Sequence, residues 1–308
     1  MNIVALAGGV GGAKLAHGLA QISAPGQLTI IVNTGDDFEH LGLAISPDLD
    51  TVMYTLAGLA NPITGWGQRD ESWKFLTALE KLGGETWFRL GDRDLATHIV
   101  RTRLLWAGQR LTDVTASLCH ALGVAPRVLP MTDDLLQTVV QTDEGELEFQ
   151  KYFVYRRCEP RVKGFYFDGL AAAFPSPEVE NALAAADVII FCPSNPFVSL
   201  DPILSLRGVR EQVIRCGAYA VSPIVGGQAL KGPAAKMLRE LGHDVSALGV
   251  ACHYHGLLRG FVLDTVDAVL APQIEALGLR ALVTETIMHT ERDRARLAQA
   301  VLDFALGH

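Results

Sequence analysis

The chain has 308 residues, with 26 Lys plus Arg against 34 Asp plus Glu, a formal net charge of −8. Hydrophobic residues make up 49% and charged residues 19%, and mean hydropathy is +0.23, which describes a well-buried globule and argues against a disordered chain. A pI near 5.6 argues against a broad basic face for nucleic acid or an anionic membrane, and no apolar run approaches the roughly 18 residues that span a bilayer.

The opening MNIVALAGG has neither a basic segment nor a hydrophobic stretch of signal-peptide length, so it reads as a mature start. Asn2 to Ala7 reads as a buried strand ending in glycines. Ala13 to Ile22 follows as a helix and Leu28 to Val32 as a second strand. This β–Gly loop–α–β opening implies a parallel sheet. A helix is expected to continue from Ser46-Pro47 through Val52 to Ala60. Three further helices are predicted at Glu71 to Lys81, Asp94 to Ala107 and Thr112 to Leu122. Gln137 to Thr142 and Glu146 to Tyr155 read as strands around the hairpin signal Asp143-Glu144-Gly145. Strands at Val188 to Phe191, Tyr219 to Val221 and Leu248 to Ala251 then alternate with helices at Glu178 to Ala186, Val209 to Cys216 and Pro233 to Leu241. A last helix runs from about Arg292 to Leu306.

The expected fold is therefore α/β: a Rossmann-like, mostly parallel sheet with helices on both faces. It is read as one domain over 1–308, carrying a helical and β-hairpin insertion at approximately 60–165. A chain of this length needs no disulfide or metal staple. Cys119, Cys158, Cys192, Cys216 and Cys252 form no CxxC and are expected to be reduced and buried, in keeping with a cytoplasmic protein. In Cys252-His253-Tyr254-His255, strand alternation would bury Cys252 and Tyr254 and leave the histidines at the surface.

The chemistry-bearing motifs fall in predicted loops. Gly8-Gly9-Val10-Gly11-Gly12-Ala13-Lys14 lies between the first strand and its helix, where backbone N–H groups and the helix dipole favour phosphate. A plain tight turn is the alternative. The loop is not a Walker A sequence, since Ala13 precedes the lysine and Leu15 follows it. It also fits GxGxxG poorly, and the second strand ends in Asn33 without an acidic ribose ligand. Asn33-Thr34-Gly35-Asp36-Asp37 offers two carboxylates for a divalent cation or for guanine, ribose or amine groups, or else an Asx turn. In Ser46-Pro47-Asp48-Leu49-Asp50-Thr51, either Asp48 or Asp50 can cap a helix, which frees the other for Mg²⁺ or a substrate hydroxyl. In Leu90-Gly91-Asp92-Arg93-Asp94, Asp92 or Asp94 is a plausible N-cap. Arg93 suits a phosphate or planar acceptor, or a local ion pair. Met131-Thr132-Asp133-Asp134 and Pro193-Ser194-Asn195-Pro196 are further polar loops at strand ends. Ser222-Pro223-Ile224-Val225-Gly226-Gly227 with Lys231-Gly232-Pro233 is a candidate second anion site. Several carboxylates behind the negative balance, at Asp36, Asp37, Asp48, Asp50, Asp92, Asp94, Asp133 and Asp134, thus fall where site chemistry is expected. There is no Ser-His-Asp order, nucleophile elbow or zinc spacing.

Taken in order from Met1 to about His253, GGVGGAKL, NTGDD, SPDLDT, LGDRDLATH, LPMTDD, PSNP and SPIVGG…KGPAAK resemble the 2-phospho-L-lactate transferase family of deazaflavin coenzyme F-420 biosynthesis. The resemblance implies that the acceptor is the deazaflavin Fo. It implies a guanosine diphosphate-type donor carrying 2-phospholactate or its enolpyruvyl or phosphoglyceryl analogue, release of GMP, and a requirement for Mg²⁺. It carries Asp50 and Arg93 over as contacts to Fo. The Gly loop (Gly8, Gly9, Gly11, Gly12, Lys14) and the Ser194-Asn195 loop are carried over as the donor side. Asn33 and Thr51 complete the expected substrate-binding set. Asp48 and Asp50 are the expected catalytic carboxylates, and Asp36, Asp37 and Asp50 the expected metal ligands. The loop departs from the GGTGTPK of many members, so it lacks that threonine's hydroxyl and the helix-start proline. A related branch, the non-catalytic nucleotide-sugar-binding regulators of the gluconeogenesis-factor type, shares the Gly loop. It continues with a DDGGSSG-like stretch, whereas Phe38-Glu39-His40 follows Asp37 here. A homodimer is the expected assembly, with no nucleic-acid or membrane partner.

Overall fold

The computed structural model describes residues 1–307. Its centre is a seven-stranded, all-parallel sheet: β1 (Ile3–Ala7), β2 (Leu28–Val32), β3 (Arg127–Pro130), β4 (Val188–Phe191), β5 (Ala218–Val221), β6 (Leu258–Asp264) and β7 (Arg280–Thr284), in the spatial order β7-β6-β5-β4-β1-β2-β3. The chain builds outward from β1 to β2 and β3, then crosses back to β4 on the other side of β1. The strand order therefore reverses at the β1/β4 boundary, and ligands of open parallel sheets sit beyond the carboxyl ends of the strands at such a point.

The strands are near-continuous apolar runs because both faces of the sheet are covered. Alternate residues point to separate cores. Val4, Leu6, Ile31, Leu129, Ile189 and Phe191 enter one. Ile3, Ala5, Ala7, Ile30, Val32 and Ile190 enter the other, with α1 (Gly9–Ile22), α2 (Pro47–Leu56), α5 (Leu111–Ala121) and the C-terminal helix Glu291–Leu306. The α/β fold with helices on both faces is thus as expected. Among the described residues, no helix is long and apolar enough to cross a membrane.

Two excursions leave the sheet within 33–187. Between β2 and β3 come the hairpin Phe38–His40/Leu43–Ile45, then α2, α3 (Lys74–Lys81), α4 (Asp92–Trp106) and α5. Between β3 and β4, Gly145–Glu148, Gln137–Thr142 and Val162–Asp168 form a separate antiparallel sheet. Because β3 belongs to the central sheet, the span 60–165 is not one continuous departure from it.

Several sequence expectations differ from the structure. The second hairpin strand ends at Glu148 instead of Tyr155, and Lys151–Tyr155 is helical. There the aromatics follow a helical spacing: Phe149 and Phe153 stack at 5.5 Å, and Tyr152 is fully buried. Leu248 to Ala251 is not a strand but part of helix Ala247–His253, started by the Ser246 hydroxyl accepting from Gly249 N at 3.0 Å. Short apolar runs do not distinguish these states. Cys252 is consequently exposed on that helix, while Tyr254 is buried. All five cysteines are free, although only Cys119 and Cys192 are fully buried. Finally, α1 starts at Gly9 and not at Ala13, so the glycines form its first turn.

The C-terminal helix lies directly on α1, and a Cβ at Gly18 would run into the Arg294 carbonyl. Gly18→Ala is therefore expected to lose roughly 1–3 kcal/mol by overpacking. Urea denaturation checks this, with a lower midpoint at unchanged slope as the expected result.

Candidate active site

The loops after β1 and β4 are joined backbone to side chain. The Ser194 hydroxyl accepts from Gly8 N at 3.1 Å and donates to Gly8 O at 2.8 Å. A Cβ at Gly11 would strike the Pro193 carbonyl, and one at Gly12 would come within 2.6 Å of Ser194 Oγ. These two glycines are needed for close approach between protein loops. Gly9, at φ +60°, turns the chain into α1. Its N–H donates to Asp48 Oδ1 at 2.7 Å, so a carboxylate stands at the positive end of α1. Asp48 also accepts from Asn33 Nδ2 at 3.0 Å, and that amide reaches Val198 O at 3.1 Å. Asp48 thus caps α1 and not its own helix. Neither it nor Asp50 caps α2, whose N-cap residue Ser46 donates its hydroxyl to Asp37 Oδ2 at 2.7 Å.

Asp36 is buried and Asp37 nearly so, and each keeps one oxygen without a hydrogen-bond partner. Burial pushes both carboxyls well above the usual range; Asp48 adds repulsion at Asp36, and the Ser46 hydrogen bond opposes the rise at Asp37. Burial raises Asp48 to about 6, against the hydrogen bonds from Asn33 and Gly9.

Asp50 faces α4. Both its oxygens accept from the Arg101 guanidinium, at 3.1 Å to Oδ2 and through a second contact to Oδ1. His98 Nδ1 lies 3.6 Å from Asp50 Oδ2, and His98 Nε2 lies 3.3 Å from Asp94 Oδ2. Tyr54 donates to Asp94 Oδ1 at 2.7 Å. Burial favours the neutral acid at Asp94, but the His98 and Tyr54 contacts prevail and hold its carboxyl below the usual range. Sequence reasoning did not single out Tyr54, His98 or Arg101. The available signal was the spacing of Asp94, His98 and Arg101, which shares one helix face and is buried. Asp50, Asp94 and His98 also offer ligand atoms within 4.8 Å of one another. Thr51 is buried beside Asp50.

Arg93 is exposed at the start of α4, with Nη1 3.2 Å from Arg69 O. Neither Asp92 nor Asp94 caps that helix. Glu71 reaches across to accept from Arg93 N and Asp94 N, both at 2.8 Å, while Asp92 accepts from Lys74 N and Phe75 N of α3. A cavity of about 60 Å³ opens here between Trp66, Trp73, Arg89, Glu71 and Asp94.

The remaining candidates divide. Asn195 accepts from Phe197 N at 3.0 Å, shaping the loop after β4. Lys14 Nζ donates to Met288 O at 2.7 Å. Asp133 accepts from Thr112 N and Asp134 from Phe174 N, so this pair braces the ends of neighbouring segments. The Ser222 hydroxyl closes its own turn at Ile224, whereas Lys231 reaches the carbonyl of Thr64.

A parallel sheet whose switch point joins a glycine-built helix start to buried carboxylates marks a Rossmann-like α/β enzyme. The family model described as 2-phospho-L-lactate transferase CofD matches residues 3–303. The chain belongs to that family of transferases, as the ordered motifs imply. It is 44% identical over 314 residues to a phosphoenolpyruvate transferase of Streptomyces griseus, covering 99% of this chain and 98% of the relative. It is 39% identical over 306 residues to a 2-phospho-L-lactate transferase of Methanopyrus kandleri, covering 98% and 97%. The fold resembles a crystal structure of a upf0052 family member from Bacillus halodurans, with TM-score 0.63, 14% identity and 98% of each chain covered.

Two outcomes follow from the buried charges. Arg101→Met strands Asp50 in a buried site and is expected to cost about 3–5 kcal/mol in chemical denaturation, with partial recovery in Arg101→Lys. For Asp48, the folded state keeps a proton that the unfolded chain releases between pH 3.8 and about 6. Its contribution is therefore fully present below that window and is lost as pH rises through it. Calorimetry in chelator should show the thermal midpoint of the wild type, relative to Asp48→Asn, falling over this range. A difference that grows with pH would contradict the assignment.

Proposed function

We propose that the chain moves a 2-phospholactyl, phosphoenolpyruvyl or 3-phosphoglyceryl group from a guanosine diphosphate-type donor to the terminal ribityl hydroxyl of the deazaflavin Fo, in coenzyme F-420 biosynthesis. The hydroxyl attacks the phosphorus that bears the organic acid and gives up its proton to solvent, the anhydride bond to the nucleotide breaks, and GMP leaves with the bonding electrons. The names of the relatives support this class of reaction. The structural observation that carries it is the hydrogen bond from Gly9 N to Asp48, because it ties the helix start suited to phosphate to the segment that holds Asp50.

In this reading the N–H groups that follow Gly9 at the start of α1 receive donor phosphate oxygens, and Ser194 fixes that loop from the far side. Asp50, held by Arg101, orients the attacking hydroxyl. Arg93 and the exposed face of Trp66 receive Fo. The partnerless buried oxygens of Asp36 and Asp37 fit Mg²⁺, a hard ion that takes one or two carboxylates and completes its shell with phosphate oxygens and water. Asp50, the third expected ligand, is already engaged by Arg101. When bound, the ion would neutralise diphosphate charge. The same reading places the enzyme in the cytoplasm as a homodimer. The five free thiols support the location, and exposed Ile99, Val100 and Trp106 on α4 support self-association.

The test is incubation with Fo, Mg²⁺ and each donor, with mass detection of the phosphodiester and of GMP. Asp50→Ala is expected to lower turnover about 10²–10³-fold, the range typical for loss of an oriented polar group. Asp36→Asn and Asp37→Asn should raise the Mg²⁺ concentration needed for half-maximal rate. Normal turnover in Asp50→Ala would remove Asp50 from the site, and activity in excess chelator would remove the metal.

A further inference from the structure

Lys14 and Lys231, from distant parts of the chain, stand beside the Gly loop, and Arg294 of the C-terminal helix lies behind them along α1. Lys14, on α1, is anchored by its bond to Met288 O. Arg294, near the start of the C-terminal helix, packs its backbone against α1 at Gly18. Lys231, from the loop after β5, donates to Thr64 O at 2.5 Å and lies 3.5 Å from Ile63 O. This puts its ammonium over Gly65, whose own surface rests on the Val10 side chain of the Gly loop: a Cβ at Gly65 would stand 2.6 Å from Val10 Cγ1 and 3.0 Å from Lys231 Nζ.

None of the three is ion-paired with a carboxylate among the described residues, and the buried Nε of Arg294 has no hydrogen-bond partner. Asp293 is the one acid that acts on Lys14, and its carboxylate is already committed to His289 N and Thr290 N. Burial, then repulsion from Arg294 and Lys231, lowers the Lys14 ammonium from its ordinary value. Glu291 acts on Arg294 as Asp293 does on Lys14, but neither acid forms an ion pair with them, so like charges gathered here are relieved further when an anion is bound.

We propose that Lys14, Lys231 and Arg294 form a diphosphate subsite that holds the nucleotide side of the donor. The proposal rests on the transferase reading and adds Lys231 and Arg294 to it as binding residues. Lys231 is the informative member, because it reaches the Gly loop from β5 and at the same time ties down the 61–68 segment. In the donor complex its ammonium meets phosphate oxygens beside Val10, with the Ile63 and Thr64 carbonyls fixing its position. Charge that develops on the departing nucleotide phosphate would then fall among three fixed cations.

Titration calorimetry with GDP, and separately with inorganic pyrophosphate, tests the subsite. The full-length wild type is compared with Lys231→Met, Lys231→Arg and the remote surface variant Lys151→Met at one ionic strength. Lys231 is exposed, so its variants should keep the wild-type melting profile. Lys231→Met is expected to weaken both ligands about tenfold and to flatten the salt dependence of binding. Lys231→Arg should stay within about threefold and Lys151→Met within about twofold. If the wild type binds GDP and Lys231→Met binds it equally well, the subsite is wrong while the transferase reading stands. An equal loss in Lys151→Met would assign the effect to net charge and also overturn the subsite. If the wild type binds neither ligand, the guanosine diphosphate donor itself falls.

Discussion

Everything at the crevice depends on three segments meeting at glycines that leave no room for a Cβ. The ends of β1, β2 and β4 lie level because their registers pair Ala7 with Val32 and Leu6 with Phe191. Parallel strands all deliver their following loops to one edge, so the segments after Ala7, Val32 and Phe191 must share that space. Glycine at positions 8, 11 and 12 lets them do so. Ser194 and Asp48 then satisfy the N–H groups of Gly8 and Gly9, which would otherwise be left unpaired at a helix start. Had any of these glycines carried a Cβ, the loop after β4 or the α2 segment would have to move, and Asp50 would move with the latter.

The buried charges on this framework are balanced unevenly. Asp50 is neutralised by Arg101, and Asp94 is held by His98 and Tyr54, so that group is nearly complete as it stands. A buried ion pair adds little net stability, because desolvation offsets the attraction, but it fixes geometry. Asp36, Asp37 and Asp48 have no comparable partner, and burial favours their protonated forms. Beside the Gly loop, Lys14 shows the opposite imbalance, repelled by Arg294 and Lys231. A ligand that carries phosphate oxygens together with a divalent cation would relieve both.

The centre of the sheet could be read from the sequence because a doubly covered parallel strand is an apolar run such as IVALA, LTIIV or VIIF. Leu258 to Asp264 went unread because the apolar run just before it, Leu248 to Ala251, took the strand reading and Arg259 and Asp264 interrupt its own apolar pattern. What separates the two is the cap at Ser246 and the packing of Gly249 against Asp244, local contacts that apolar periodicity does not read. The site was legible as a set of loops but not as partnerships. SPDLDT locates Asp48 and Asp50, yet no spacing rule says that one serves the preceding helix α1 and the other a guanidinium on α4.

The acidic loops show why burial has to be known before a carboxylate is given a role. Strand ends and helix starts are where acids bind metals and substrates, and they are equally where acids accept free backbone N–H groups. Asp92, Asp133 and Asp134 belong to the second use: each accepts N–H groups from a neighbouring segment. Asp36 and Asp37 differ, since each holds an oxygen that is sealed from water and bonded to nothing. Asp48 does both, accepting the Gly9 N–H while repelling Asp36. The net charge of −8 therefore divides into acids that complete the fold and a smaller buried group that the fold holds at an energetic disadvantage. That second group lies where α1 begins, and burial holds it toward its protonated forms.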